Sequence, residues 1–130
     1  MIYAIENDID AFNALHHNVT EYDLPNVNVL HDTVSVLQQK SIHPIDVLYI
    51  DAPWGGVDYK LKDKFSLSLS DIDVSEIIFN NHGNVTLFIL KVPNNFDFYN
   101  FQTKLSMLTI ISYDYCIKGK CKYKFLSIHL

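Results

Sequence analysis

The residues best equipped for chemistry stand together in the run Asp51-Ala52-Pro53-Trp54-Gly55-Gly56. The exocyclic amine of a purine is a poor nucleophile, because its lone pair is delocalised into the ring, so acceptors must hold it before it can attack an electrophilic methyl carbon. The carboxylate of Asp51 and the backbone carbonyl of Ala52 can accept its two N–H hydrogens and turn the lone pair outward. Pro53 stiffens the loop. Trp54 can stack on the base, a contact worth about 1 to 3 kcal/mol, with a further cation–π gain of roughly 0.5 to 2 kcal/mol if the base is cationic. Gly55 and Gly56 let the backbone approach a ligand closely. A lone tryptophan beside proline and glycine also serves in many proteins as a buried loop anchor, and by itself Trp54 does not choose between these uses.

Two more carboxylates occupy positions with chemical meaning. Glu6 ends the apolar run Ile2 to Ile5, where an acidic side chain can accept both hydroxyls of a ribose, and Asp32 lies just past Val27 to Leu30, placed to accept from an adenine amino group. Each could equally be a turn or capping residue; together they suggest a nucleoside cofactor. Cys116 and Cys121 lack the His or Cys partners of a zinc site. They read as two reduced thiols, although they flank a hairpin and could face each other across it. The histidines other than His31 have no metal-ligand spacing with carboxylates or thiols.

These residues need a scaffold, and the hydrophobic periodicity supplies one. A strand at Ile2 to Ile5 precedes a helix carrying Ile9, Phe12, Leu15 and Val19, which ends before Leu24-Pro25. The strand Val27 to Leu30 and a helix through Val34 and Leu37 repeat the unit. The strand Ile45 to Ile50 then runs into the Asp51 loop. A helix follows over Ser70 to Asn80, then the strand Val85 to Val92, which reads as central and buried on both faces, and a helix over Phe96 to Leu105. Leu108 to Ile117 and Tyr123 to His129 flank Lys118-Gly119-Lys120 as an antiparallel hairpin. The alternation predicts an α/β fold with a mostly parallel, Rossmann-like sheet, helices on both faces and ligands at the carboxyl ends of the strands.

The 130 residues, 48% of them hydrophobic, suit one domain, whole or truncated, spanning residues 1–130. The net charge of −5 excludes a broad electrostatic grip on nucleic acid. All ten basic residues are lysines, and seven fall in two alternating runs, Lys60-62-64 and Lys118-120-122-124, which are either two small basic patches or the solvent side of a strand or loop. No apolar stretch approaches the roughly 18 residues of a membrane span, and Met1 is not followed by a signal-like segment, so an intracellular protein of the nucleus, cytoplasm or a viral factory is expected.

The string from Asp46 to Tyr59, Asp-Val-Leu-Tyr-Ile-Asp-Ala-Pro-Trp-Gly-Gly-Val-Asp-Tyr, resembles the strand and catalytic loop of trimethylguanosine synthases. That family of class I methyltransferases carries Ser, Asp or Asn followed by Pro-Pro-Trp-Gly-Gly-Pro-x-Tyr. Ile2 to Asn18 resembles its second strand and following helix, His31-Asp32-Thr33 its adenine-contacting turn, and Phe88 to Asp97 the segment where it carries Pro-Arg-Asn. The resemblance implies S-adenosylmethionine as cofactor, held by Glu6, Asp32 and Thr33, and a capped RNA as partner, with N2 of 7-methylguanosine as acceptor. It implies that Asp51, Ala52, Pro53 and Trp54 position the amine with Asn18 nearby, and that Gly55, Tyr59, Lys60 and Asn94 line the substrate side.

The chain departs from the family in three ways. Ala52 replaces a proline, Asn94 replaces an arginine expected at cap phosphates, and the Gly-rich turn that cradles the methionine part of the cofactor is missing, together with its strand. That strand would lie mid-sheet, between the strands of Ile2 and of Ile45, and its absence leaves two backbone edges for another chain to complete. Two other readings stay open: an amino-methyltransferase of adenine N6 or of guanine in another RNA, since Asp-Pro-Pro-Trp or Tyr loops serve those amines too, and a catalytically inactive module that binds cap or a partner.

Overall fold

A computed structural model describes residues 1–39 and 42–130. The contacts of the chain gather it into two compact units, residues 1–40 and 41–130. In the first, strand β1 (Ile2–Glu6) pairs in parallel with β2 (Val27–His31), in a register running from Ile2 opposite Val27 to Glu6 opposite His31. Helix α1 (Ile9–Glu21) connects them, capped by Asp8, whose carboxylate accepts from the amides of Asp10 and Ala11. Phe12, Leu15 and Val19 form its half-buried stripe, and no residue of α1 is fully buried. The segment Val34–Gln38, predicted as α-helix, is a 3-10 turn started by the Thr33 hydroxyl, which accepts from the Ser35 amide. The tighter winding still buries Val36 and Leu37.

The second unit is built on a four-stranded sheet. Its strands are β3 (Ile45–Ile50), β6 (Val85–Pro93), β7 (Thr109–Ile117) and β8 (Lys120–His129), in the spatial order β3-β6-β8-β7. β3 and β6 are parallel, and the C-terminal hairpin adds two antiparallel ladders. The α/β class holds, but the ladders divide more evenly between the two directions than the mostly parallel expectation, because the hairpin makes up half of this sheet. β6 is central as predicted. Only one of its faces is fully covered: Phe88, Leu90 and Val92 are buried with Ile50, Leu126 and Ile128, whereas Leu87, Ile89 and Lys91 are half-buried. Side chains alternate along a strand, so the second, more open face carries Val47, Tyr49, Ile89, Lys91, Tyr113, Tyr115, Tyr123 and Phe125.

Local turn chemistry moves several predicted boundaries. Residues Ser70 and Asp71 adopt positive φ and close a two-stranded hairpin of β4 (Ser68–Leu69) and β5 (Ile72–Asp73). Helix α2 (Val74–Asn81) therefore starts four residues later than predicted, capped by Asp73, which accepts from the Ser75 amide. Helix α3 (Phe98–Lys104) starts after a turn in which the Phe96 amide donates to the Pro93 carbonyl. Val74, Ile77, Ile78, Phe101 and Leu105 belong to the buried core. At the hairpin turn, positive φ at Lys118 and Gly119 matches the expected signal, and β8 begins at Lys120, three residues earlier than predicted. Cys116 and Cys121, read as reduced thiols, are opposite each other in register and joined by a disulfide.

Candidate functional site

At the carboxyl ends of β1 and β2, parallel pairing sets the two predicted cofactor carboxylates side by side. The Asp32 amide donates to the Glu6 carbonyl, 3.2 Å away, so both side chains leave the backbone at the same edge. Glu6 Oε1 accepts from the Asp8 amide at 2.9 Å, and Asp32 Oδ1 accepts from the Thr33 amide at 2.7 Å. Each carboxylate is thus oriented by one backbone amide and keeps a second oxygen for other partners, an acceptor set that fits ribose hydroxyls and an adenine amine. Thr33 spends its hydroxyl on the 3-10 turn. Asn18, expected near the target base, lies on α1 nine residues from Ile9, about 13 Å along a helix that leaves from these strand ends.

The loop after β3, in the second unit, carries the other predicted site residues. Tyr49 and Asp51 point to the same face, two residues apart, and the Tyr49 hydroxyl donates to Asp51 Oδ2 at 3.5 Å. Because Tyr49 pairs with Ile89 and Ile50 with Leu90, the parallel register carries Lys91 to the position beside Asp51. Its ammonium lies 3.2 Å from Asp51 Oδ2. With the Asp51 side chain 47% exposed, this ion pair is worth only about 0 to 1 kcal/mol. The hydrogen bond to Asp51 is the main cause holding the Lys91 ammonium above the ordinary lysine range. Burial, and then the neighbouring Asp51 charge, push the Tyr49 phenol up.

Ala52 is buried at 2% exposure, and Pro53 is exposed. Trp54 is half-buried, neither sealed in the core nor free: its ring meets Tyr59 edge-on at 5.3 Å, and its indole N–H has no hydrogen-bond partner. Gly55 and Gly56 have φ of 76° and 75°, a conformation that a side chain would strain, and they start the 3-10 turn Gly56–Leu61. Tyr59 is wedged between Trp54 and Phe65, and the Lys60 ammonium lies 5.9 Å over its ring. Asn94, expected on the substrate side, donates to the Cys121 carbonyl at 2.8 Å. Its neighbour Asn95 clamps the whole turn by donating to the carbonyls of Tyr59 and Lys62, at 2.7 and 2.9 Å.

Sequence reasoning missed Tyr49, Lys91, Asn95 and Tyr123. The Lys91 ammonium lies 5.5 Å from the Trp54 ring centroid and 5.3 Å from that of Tyr123, which stacks flat on Tyr115. One signal was available, a single lysine inside the otherwise apolar run Leu87 to Val92; the others depended on strand register. A wide-open hollow of about 810 Å³ is lined by His43, His82 and His129 at the amino ends of β3 and β6, away from the ends where this fold class binds ligands.

A family model described as RNA cap guanine-N2 methyltransferase matches residues 1–128. The chain belongs to that family. It is 33% identical over 118 residues to uncharacterized protein L320 of Acanthamoeba polyphaga mimivirus, covering 87% of this chain and 45% of the viral one. Among solved structures, the methyltransferase domain of METTL16 lacking its N-terminal part superposes with a TM-score of 0.68 at 13% identity, covering 98% of this chain and 61% of that one. SMU.1697c of Streptococcus mutans, solved in complex with SAH, gives 0.59 at 11% identity, covering 97% and 73%. At such identities the likeness is one of fold, and the fold is that of Rossmann-like methyltransferases. This member of the cap methyltransferase family spans about half the length of its viral relative and of several matched structures.

Proposed function

We propose that this chain carries the acceptor-holding part of an enzyme that moves a methyl group from S-adenosylmethionine to N2 of the 7-methylguanosine cap of an RNA. The observation that carries the reading is a partly exposed carboxylate, Asp51, at the carboxyl end of β3, next to a half-buried tryptophan on a glycine-turned loop. In this reading the base stacks on Trp54, with Gly55, Tyr59, Lys60 and Asn94 around it. Asp51 and the Ala52 carbonyl accept the two N2 hydrogens. The cofactor supplies an electrophilic methyl. With the amine so held, Asp51 would take up the proton that N2 loses on methylation, directly or through water. Glu6 and Asp32, with the Thr33 amide orienting Asp32, hold the ribose and adenine. A Gly-rich strand from polypeptide outside these 130 residues completes the methionine end of that site.

Titration with 7-methyl-GDP tests the acceptor half, because Trp54 is the only tryptophan and reports directly. Its fluorescence is expected to be quenched on binding. Trp54→Ala, followed by calorimetry, is expected to weaken binding roughly ten- to hundredfold for a lost stacking contact of about 1 to 3 kcal/mol. Unchanged affinity in that variant would remove the stacking role. Because Lys91 and Tyr49 already engage Asp51, a second reading has support, a cap-binding module without turnover. Transfer of labelled methyl to capped RNA, measured with and without a supplied Gly-rich segment, separates the two.

A further inference from the structure

The open face of the sheet in the second unit places one cation against two aromatic rings. Lys91 is the lone charged residue of β6. Its ammonium lies 3.2 Å from Asp51 Oδ2, 5.5 Å from the Trp54 centroid and 5.3 Å from the Tyr123 centroid, both rings within cation–π range. Tyr123 reaches it across the ladder: Lys91 pairs with Phe125 and Pro93 with Tyr123, which makes Lys91 and Tyr123 diagonal neighbours on one face. The Tyr123 ring is held from two sides, by Tyr115 stacked at 4.6 Å and Phe125 edge-on at 5.3 Å. A carboxylate and two aromatic rings around one positive charge are the groups that recognise a cationic heterocycle.

We propose that Lys91 is a resident cation in the base site, that Tyr123 is the second ring of that site beside Trp54, and that a positively charged purine binds by displacing the Lys91 ammonium. The inference rests on the acceptor reading above and deepens it by assigning two specificity-determining residues. Lys91 has the means to leave: its side chain is 27% exposed and flexible, and its partner Asp51 opens to solvent. Every ligand that uses both rings must first move this ammonium, so Lys91 sets the affinity of the site without touching the reacting atoms.

The test measures quenching of Trp54 by 7-methylguanosine, which has no phosphates to draw on other lysines, and by 1-methylnicotinamide, a planar pyridinium cation without guanine's hydrogen-bonding edge. The full chain is compared with Lys91→Ala, Lys91→Arg and Tyr123→Leu, with circular dichroism as the check of folding. Lys91→Ala is expected to bind both probes about tenfold more tightly. Lys91→Arg keeps the charge, pairs with carboxylate through a planar fork and stacks better on rings, so it is expected to bind more weakly than wild type. Tyr123→Leu is expected to lose affinity for both probes. A structural defect alone would not produce opposite shifts at one position. Equal or weaker binding of 7-methylguanosine by Lys91→Ala overturns the proposal while leaving the cap reading intact. If 1-methylnicotinamide follows the expected order and 7-methylguanosine is not bound, the cation site stands and the cap reading falls. No quenching by either probe in any variant overturns both.

Discussion

Asn95→Ala should loosen the Trp54 loop without removing any group that meets the acceptor. The Asn95 amide donates to two carbonyls, of Tyr59 and of Lys62, and so ties the turn carrying Tyr59 to the segment after β6. Each hydrogen bond contributes about 0.5 to 1.5 kcal/mol net. The Lys62 carbonyl belongs to an exposed residue and can turn to water, which puts the loss in the lower half of the sum, about 1 to 2 kcal/mol. In a unit of this size about 1 kcal/mol shifts the unfolding midpoint by roughly 4 to 8 °C, so a drop of about 5 to 15 °C is expected. Calorimetric scanning gives the midpoint, and Trp54 emission reports the loop, because Tyr59 packs edge-on against the indole. Asn94→Ala is the internal comparison. It loses one exposed bond, to Cys121, and should move the midpoint by a few degrees at most. If Asn95→Ala leaves midpoint and emission unchanged, the clamp does not hold the loop and its geometry must come from the glycine turn alone.

Three further outcomes follow from individual contacts. For Asp73, burial works to raise the carboxyl, but hydrogen bonds from Lys104 and Ser75 outweigh it and leave it below the ordinary range. Its stabilisation is therefore complete above about pH 4 and disappears as pH falls through the lowered value, and Asp73→Asn should flatten the acid limb of a urea midpoint series. Lys91 and Tyr49 are both raised, so the folded chain keeps their protons longer than the unfolded one; stability is full below about pH 10 and declines as pH rises through the folded values, less steeply in Lys91→Ala. A steeper decline in that variant would contradict the assignment. Reducing the Cys116–Cys121 bond, which spans a separation of only five residues, should cost about 2 kcal/mol by loop entropy, read as a lower urea midpoint of the reduced chain.

What the sequence determined by itself is local. The helical spacing of Phe12, Leu15 and Val19 after Asp8, the apolar run leading into Asp51, and the Lys118-Gly119 turn depend on neighbours a few residues away, and each appears in the structure where its pattern placed it. So do the carboxylates of Glu6 and Asp32, because a strand end is a local event. Local chemistry also explains the misplaced helix start, since Ser70 and Asp71 tolerate a left-handed turn that periodicity alone does not reveal. Strand pairing belonged to the tertiary structure. A ladder joins residues 40 apart for Lys91 and Asp51 and brings Tyr123 to the same lysine from the opposite edge of β6, and no window along the chain contains these groups together. Register, a nonlocal choice made by burying Phe88, Leu90, Leu126 and Ile128 on one face, is the physical reason that a lone lysine in an apolar strand ends up between two rings and a carboxylate.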